Sequence, residues 1–414
     1  MISGWKDTAD TIHKELLPHF FEVGKIVEEN QKRVLDYFRK EGVSEFHFQQ
    51  TTGYGYDDTG REVLEKIYAG VMGAEAALVR QQLVSGTHAI STALFGVLRP
   101  GDELLYISGD PYDTLEEVIG IRGKKDAGSL KDFGITYDTV PLKQNQIDTE
   151  SVINRIRPET KVLGIQRSRG YDARASLHVG EIGRAVAEIK AVYPEVIIFV
   201  DNCYGEFVET QEPGHAGADL TAGSLIKNPG GGIARAGAYI CGRNDLIEKC
   251  ASRMSAPGIG AEGGATLGVL LDMFQGFFLA PHTVGEALKG ASFTAALLEK
   301  AGFQTDPPPL APRTDLIQSV TFHAAEEMTA FCRAIQYYSP VDANVSPEPA
   351  DMPGYEDPVI MAAGAFVQGA SIELSADGPL RAPYRAYVQG GLTFEHVKTA
   401  VTYAVQKASE KQGK

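Results

Sequence analysis

The sequence predicts an α/β fold, with a mostly parallel sheet in a large domain and a smaller α+β domain after it. Short apolar segments rich in β-branched residues are typical of buried strands. They occur at residues 104–108, 162–166, 196–201 and 238–241. Helix-length segments separate them, and this alternation indicates βαβ units whose sheet is covered on both faces. The chain of 414 residues also exceeds the length at which one core usually stops growing.

The chain divides into three expected parts. Residues 11–39 repeat apolar side chains at helical spacing and predict one or two amphipathic helices. We therefore expect an N-terminal helical segment at residues 1–44, packed on the small domain. The large domain is expected at 45–290 and the small domain at 291–414.

Three later segments guide the prediction for the small domain. The proline-rich residues 307–312 indicate a surface crossing. Residues 319–324 and 371–374 then look like strands of the small domain. The long loop at 339–358 is either a surface excursion or a lid over a site.

Charge and cysteine content limit the possible partners. The formal net charge of -15 argues against a nucleic-acid partner, which needs clustered Lys and Arg. No apolar run reaches the roughly 18 residues that cross a bilayer, so we expect no membrane partner and a cytoplasmic protein. The four cysteines show no CxxC spacing, and neither a metal site nor a disulfide framework is predicted.

Two features at predicted strand or helix ends suit an anionic ligand or a catalytic acid. Ser85-Gly86-Thr87 precedes an apolar helical pattern, and a helix N-terminus offers free N–H groups to a phosphate. Ordinary N-capping is the alternative. Asp201 ends an apolar strand, where open α/β sheets place their ligands. A helix cap or a metal ligand is the alternative there.

Two further residues are candidates for direct chemistry. Lys227 lies in an apolar, turn-forming setting between Ser224 and three consecutive glycines. A lone lysine of this kind is more often a surface residue. Tyr112 follows the strand that ends at Ser108 and could stack on a planar ring, or could simply be half-buried. The order in which these features occur carries more weight than any one of them.

In that order the chain resembles the cystathionine and methionine γ-lyase group of pyridoxal-phosphate enzymes. The matching positions are Tyr54-Gly55-Tyr56, Gly73-Ala74-Glu75, Ser85-Gly86-Thr87, Tyr112, Asp201 and Ser224-x-x-Lys227. It is most similar to the branch known as methionine γ-lyase-like or aluminium resistance protein. The marks of that branch are residues 166–171, 201–207, 352–355 and 373–379. The resemblance runs through nearly the whole chain and implies the fold-type I, aspartate-aminotransferase-like fold.

The resemblance also implies roles for these residues. Lys227 would hold pyridoxal 5'-phosphate as a Schiff base and shuttle the Cα proton, for which its pKa must fall toward neutrality. Asp201 would face the pyridine nitrogen and keep it protonated. Tyr112 would stack on the ring as part of the catalytic set. The phosphate would be bound by Ser85, Gly86, Thr87 and Ser224.

Other implied contacts concern a second subunit and the substrate. The loop with Tyr54 would reach the site of a neighbouring subunit, which implies a homo-oligomer, either a dimer or a dimer of dimers. Tyr56 stands where the lyases usually have arginine, so Arg61 is an alternative partner for the phosphate. A guanidinium should bind the substrate carboxylate, with Arg381 as first choice and Arg385 as second. A surface arginine is the alternative for both.

For the residues that follow the predicted strand at 162–166 and for Cys203, the sequence leaves two interpretations open. Arg167, Arg169 and Arg174 either bind a substrate anion or pair with carboxylates of the chain. Cys203 could point toward the cofactor, but we expect it in the core.

The expected function is that of a carbon–sulfur lyase acting on a sulfur-containing amino acid by α,β- or α,γ-elimination. An aminotransferase or aldolase reaction is the rival within enzymes, because the same cofactor drives several reactions. A pyridoxal-phosphate-binding protein of stress or metal resistance, with little turnover, is the rival from another class.

Overall fold

A seven-stranded sheet forms the centre of the computed structural model, which describes residues 2–352 and 357–412. The strand order is β1-β7-β6-β5-β4-β2-β3. The strands are β1 (Ala76–Arg80), β2 (Glu103–Tyr106), β3 (Thr136–Thr139), β4 (Thr160–Gln166), β5 (Ile197–Asp201), β6 (Leu220–Ser224) and β7 (Ala238–Gly242). Only β7 runs antiparallel to its neighbours, which confirms the mostly parallel sheet.

Ten α-helices accompany the strands in the described residues. They are α1 (Ile2–Lys40), α2 (Thr59–Met72), α3 (Gly86–Val97), α4 (Asp113–Ile119), α5 (Thr149–Arg155), α6 (Val179–Val192), α7 (Asn244–Met254), α8 (Leu270–Lys300), α9 (Ala325–Tyr337) and α10 (Phe394–Ser409). Separate apolar clusters lie on the two faces of the large sheet. Strand β5 is buried along its whole length because both faces are covered, which explains its continuous apolar run.

A second sheet of five antiparallel strands belongs to the C-terminal part of the chain. Its order is β10-β11-β12-β9-β8. The strands are β8 (Gln304–Asp306), β9 (Gln318–Thr321), β10 (Val359–Ala362), β11 (Ser375–Pro379) and β12 (Arg385–Gln389). The predicted strand at 371–374 is wrong, because pairing begins only at Ser375. Helices α9 and α10 pack together beside this sheet and complete an α+β unit.

Helix α1 contacts both parts of the molecule. It is one helix of 39 residues, with Pro18 inside it. Its first half contributes Leu16 and Phe20 to the core of the C-terminal unit. Its second half contributes Val34 to the core beside the large sheet. Helix α8 runs through residue 290, which is one of the two expected domain boundaries. The division of the chain at residues 44 and 290 stays a proposal.

Backbone contact with α8 fixes the turn that follows β6. A short 3-10 helix, Asn228–Gly230, begins this turn directly after Lys227. A Cβ atom on Gly276 of α8 would lie 2.3 Å from the Gly230 carbonyl oxygen. A Cβ atom on Gly231 would lie 2.4 Å from the Gly276 carbonyl oxygen. Since only glycine permits this approach, the lysine is carried on a closely packed turn.

Two further predictions concern a membrane partner and the long loop at 339–358. No helix in the described ranges is long and apolar enough to cross a membrane. In the loop at 339–358, Arg333 of α9 pairs with Glu348 and donates to the Pro347 carbonyl, while Ala350 pairs with Val359. This part of the loop is therefore held against α9 and β10. Its role as a lid stays a prediction.

Candidate active site

The carboxyl ends of β4, β5 and β6 bring the predicted site residues together. These strands are adjacent, and Asp201 at the end of β5 pairs in register with Gln166 of β4 and Ala222 of β6. Lys227 follows the last residue of β6 by three positions. The edge of the sheet thus collects a carboxyl group and an amine from two consecutive strands, as expected for parallel strands.

Asp201 is buried and Lys227 is half-buried, and burial acts on the pKa values of both groups. Burial raises the pKa of Asp201, and the positive charge of Lys227 offsets only part of that increase. Burial lowers the pKa of Lys227, but the neighbouring Cys203, Tyr204 and Asp201 raise it by more. The pKa of this lysine is therefore raised in the protein alone. The lowering that the expected chemistry requires stays a prediction, and it would have to come with the bound cofactor.

The turn before α3 and the end of β6 form a cradle that fits a phosphate. A Cβ atom on Gly86 would lie 3.3 Å from the Ser224 Cβ and 3.2 Å from the Cys203 Sγ. The Ser224 hydroxyl is buried and has no hydrogen-bond partner in the described chain. The amides of Gly86 and Thr87 make no hydrogen bond to any described residue. Free helix N–H groups and an unpaired buried hydroxyl suit an anion.

Ser85 contributes to this cradle through the helix rather than through its own side chain. Helix α3 begins at Gly86, and the Ser85 hydroxyl accepts a 3.0 Å hydrogen bond from the His88 amide. This is the N-capping alternative, and it holds the helix end in place. Cys203 is buried, as expected, but it lies against Gly86 at the cradle.

Tyr112 lies beside the same cradle. Its hydroxyl is 2.8 Å from the Thr87 Oγ1, and its amide donates to the Gln166 side chain at 2.9 Å. Burial raises the pKa of Tyr112 most, and the negative charge of Asp201 raises it further, so the phenol is neutral. The tyrosine thus joins the helix turn to the end of β4. Its stacking on a cofactor ring stays a prediction.

Tyr54 and Tyr56 lie on the surface. Their rings stack with centroids 5.2 Å apart, and they are 72% and 50% exposed. Arg61 supports this loop, because its Nη1 donates to the carbonyl oxygens of Gly55 and Gly264 at 2.7 Å each. Its Nη2 donates to the Glu262 carbonyl at 3.0 Å. Arg61 therefore holds the backbone of this loop in place. Because its Nη1 and Nη2 already donate to these carbonyls, it is disfavoured as a phosphate partner.

The three arginines after β4 pair within the chain. Arg167 is fully buried and pairs with Glu209 at 2.9 Å and with Glu212 at 3.3 Å. Arg169 pairs with Asp306. Arg174 donates to the backbone carbonyls of Gln166, the last residue of β4, and of Ser168. These contacts favour the interpretation in which the three arginines pair with groups of the protein and do not bind a substrate anion.

The two arginines predicted for the substrate have different surroundings. Arg381 has a side chain that is 59% exposed and pairs with Asp357 at 3.1 Å. Arg385 begins β12, and its Nε is buried without a partner in the described residues. The neighbouring Tyr387 donates to the Tyr171 carbonyl at 2.6 Å, which joins β12 to the loop after β4. Residues 353–355 of the branch motif lie outside the described residues.

A buried polar network that no sequence pattern indicated lies next to the turn that carries the lysine. Glu206 is fully buried, and its Oε1 accepts a 2.9 Å hydrogen bond from the Tyr239 hydroxyl. The Glu206 carbonyl accepts from Asn228, the residue after the lysine, at 2.9 Å. Burial raises the pKa of Glu206 to about 8, and the buried Glu212 adds to the increase.

Tyr204 was missed as well. Its ring centre lies 3.9 Å from the Lys227 Nζ. Both Tyr204 and Glu206 belong to the branch motif at 201–207, which was the one available signal. Nothing in that motif showed which side chains point inward. In the described chain, no group of three or more His, Cys, Asp or Glu could hold a metal ion.

Comparison with known proteins agrees with this geometry. A family model described as methionine gamma-lyase matches residues 5–409. A crystal structure from Listeria monocytogenes, named as a candidate cystathionine beta-lyase involved in aluminium resistance, is 58% identical with a TM-score of 0.95. The match covers 97% of this chain and 99% of that one.

Two further structures extend the comparison. A Clostridium novyi structure, named as a carbon–sulfur lyase involved in aluminium resistance, is 47% identical with a TM-score of 0.93. The match covers 97% of this chain and 95% of that one. The pyridoxal-phosphate-dependent protein YhfS of Escherichia coli is 17% identical with a TM-score of 0.62, and the match covers 93% of this chain and 97% of that one. This distant likeness concerns the fold alone, and it confirms the predicted fold type.

We predict that the Glu206 carboxyl makes stability depend on pH. A carboxyl whose folded pKa is raised contributes stability below its unfolded pKa of about 4.3, and this contribution is lost as pH rises through about 8. Glu206→Gln should therefore flatten the loss of thermal stability between those pH values. Melting temperatures of wild type and variant across this range test this. Glu159→Gln, at an exposed side chain, should follow wild type. Parallel curves for wild type and Glu206→Gln would contradict the prediction.

Proposed function

Because the chain belongs to the methionine gamma-lyase family, we propose that it is a pyridoxal-phosphate-dependent carbon–sulfur lyase acting on a sulfur-containing amino acid. The substrate would be of the cystathionine or methionine type, cleaved by α,β- or α,γ-elimination. One observation carries the proposal. The half-buried amine of Lys227, the buried carboxyl of Asp201 and the phosphate cradle at Gly86 and Ser224 meet at one edge of the sheet.

The residues fit the cofactor in three places. Lys227 would hold its aldehyde carbon, Asp201 would face its ring nitrogen, and Ser224 would bind its phosphate. The Gly86 and Thr87 amides and the positive end of α3 would add to the phosphate site. When bound, the cofactor supplies an electron sink for the negative charge that develops at the substrate Cα. Tyr112, beside Thr87, is the aromatic side chain that would cover the ring.

The protein's own groups then move and hold protons. The Lys227 amine takes the proton from the substrate Cα and is the group that can return it elsewhere on the substrate. The Asp201 carboxylate, buried at the strand end, would stabilise positive charge on the ring nitrogen of the cofactor. The Tyr112 phenol stays neutral because of its burial, so it contributes a hydrogen-bonding group and adds no charge beside the amine.

For the substrate carboxylate we propose Arg385 ahead of Arg381, which reverses the order expected from the sequence. The Arg385 Nε is buried and unpartnered in the described residues, and a buried unpaired donor is unfavourable unless a ligand satisfies it. Arg381 is largely exposed and already pairs with Asp357. An exposed ion pair of this kind contributes little and leaves no desolvated guanidinium for a ligand.

A homo-oligomer is part of the proposal. Tyr54 and Tyr56 present two stacked, largely exposed rings on a loop whose backbone is fixed by Arg61. A rigid exposed aromatic pair is suited to an interface, because it offers contact area at a low entropic cost. The neighbouring subunit's site is the partner that we propose for this loop.

Product analysis tests the proposed reaction. Wild type loaded with pyridoxal phosphate should release ammonia and a 2-oxo acid from cystathionine, methionine or cysteine. Lys227→Ala should lose this activity by roughly 10³-fold or more, because it removes the covalent attachment and the base together. Lys161→Ala, at an exposed lysine, is the matched control and should equal wild type. Cofactor binding without any 2-oxo acid would contradict the lyase and support a binding protein. Amino-group transfer without ammonia would support an aminotransferase.

A second experiment tests the choice of arginine. Arg385→Lys should lower kcat/KM by about 10- to 100-fold, because a planar guanidinium binds a carboxylate through two hydrogen bonds and an ammonium does not. Arg381→Lys should change kcat/KM less than about twofold. Steady-state kinetics on the best substrate give both values. A larger loss of kcat/KM in the Arg381 variant would favour Arg381 as the residue that binds the substrate carboxylate.

A further inference from the structure

Tyr204 makes the most direct side-chain contact to the lysine that the described chain shows. The Lys227 Nζ lies 3.9 Å from the centre of the Tyr204 ring, well inside the range of a cation–π contact. Among the described residues Nζ makes no ion pair within 4.0 Å, so no carboxylate holds the ammonium directly. The ring face is therefore the group that the charged amine contacts.

The backbone around Tyr204 is strained in a way that fixes the ring. Tyr204 has φ of 71°, in the left-handed region that a bulky residue rarely adopts. The turn is closed by a 3.0 Å hydrogen bond from the Gly205 amide to the Asn202 carbonyl. Gly205 has no room for a side chain, because a Cβ atom there would lie 2.6 Å from the buried Arg167 side chain. Such strain persists only where the surroundings impose it, and it occurs preferentially at functional sites.

The contact discriminates between two states of the lysine. An aromatic face attracts an ammonium, and it has no comparable attraction for a neutral amine or for an amine already bonded to a carbon atom of the cofactor. We propose that Tyr204 is a positioning residue that holds the Lys227 ammonium whenever the amine is free of the cofactor. This inference rests on the proposed function.

The contact has opposite effects on two events. Attack of the lysine on the cofactor aldehyde would form a C=N bond and release the aldehyde oxygen as water. This attack needs the neutral amine, so the ring should slow uptake of the cofactor. Once the lysine is free and has taken the Cα proton, it is an ammonium, and the ring keeps that form in place. Removing the ring should therefore speed the first event at neutral pH and weaken the second.

Cofactor uptake by the full chain stripped of pyridoxal phosphate tests the inference. We would measure the second-order rate constant of pyridoxal-phosphate uptake by absorbance between pH 6 and pH 10 for wild type, Tyr204→Phe and Tyr204→Leu. The leucine variant should take up cofactor about 3- to 30-fold faster at neutral pH, which is roughly 0.7 to 2 kcal/mol at 1.36 kcal/mol per tenfold. The rise of the rate constant with pH should shift to correspondingly lower pH. The phenylalanine variant keeps the ring face and should match wild type.

Three controls separate the possible failures. Tyr204→Asn serves as a second variant without a ring if leucine is not tolerated, because asparagine accepts positive φ more readily. A leucine or asparagine variant that folds and takes up the cofactor with the wild-type rate constant and pH dependence would overturn the inference. A phenylalanine variant that changes as much as leucine would also overturn it. If wild type itself forms no linkage at Lys227, judged against Lys227→Ala, the proposed function fails instead.

Discussion

Placing the Lys227 amine and the buried Asp201 carboxyl at the same edge of the sheet is the constraint on which the rest of this structure depends. Burial penalises the charged form of both groups, and at Asp201 the positive charge of Lys227 offsets only part of that penalty. The protein must therefore hold Lys227 and Asp201 in fixed positions with its own groups. The two turns after β5 and β6 do this, because adjacent parallel strands deliver them to the same edge.

The surrounding molecule stiffens those two turns from several directions. Helix α8 packs backbone to backbone against the turn after the lysine. Asn30 of α1 is fully buried and donates to the Phe207 carbonyl at 2.9 Å, which holds the turn after β5. Arg167 reaches Asn202 at 2.7 Å and Thr314 at 3.1 Å, so its buried charge is satisfied by partners on both sides. The long N-terminal helix is thus part of the support for the site.

The sequence predicted the parts of the site that depend on simple strand geometry. Asp201 could be placed because it ends an apolar strand, and Lys227 because family resemblance and order agreed. Strand β6 was missed since its residues, Leu-Thr-Ala-Gly-Ser, show no apolar run. Strand β11 contains Asp-Gly-Pro, which locally indicates a turn, and only pairing on both sides makes it a strand. Tyr204, Glu206 and the contrast between Arg381 and Arg385 depend on tertiary contacts that no local pattern encodes.

Identifying the lysine that carries the cofactor is the most direct test of this account. Borohydride reduction of the loaded protein fixes the linkage, and peptide mass mapping then locates it. The account predicts one modified peptide, with the pyridoxyl phosphate mass on Lys227. Modification of any other lysine, or of none, would contradict it.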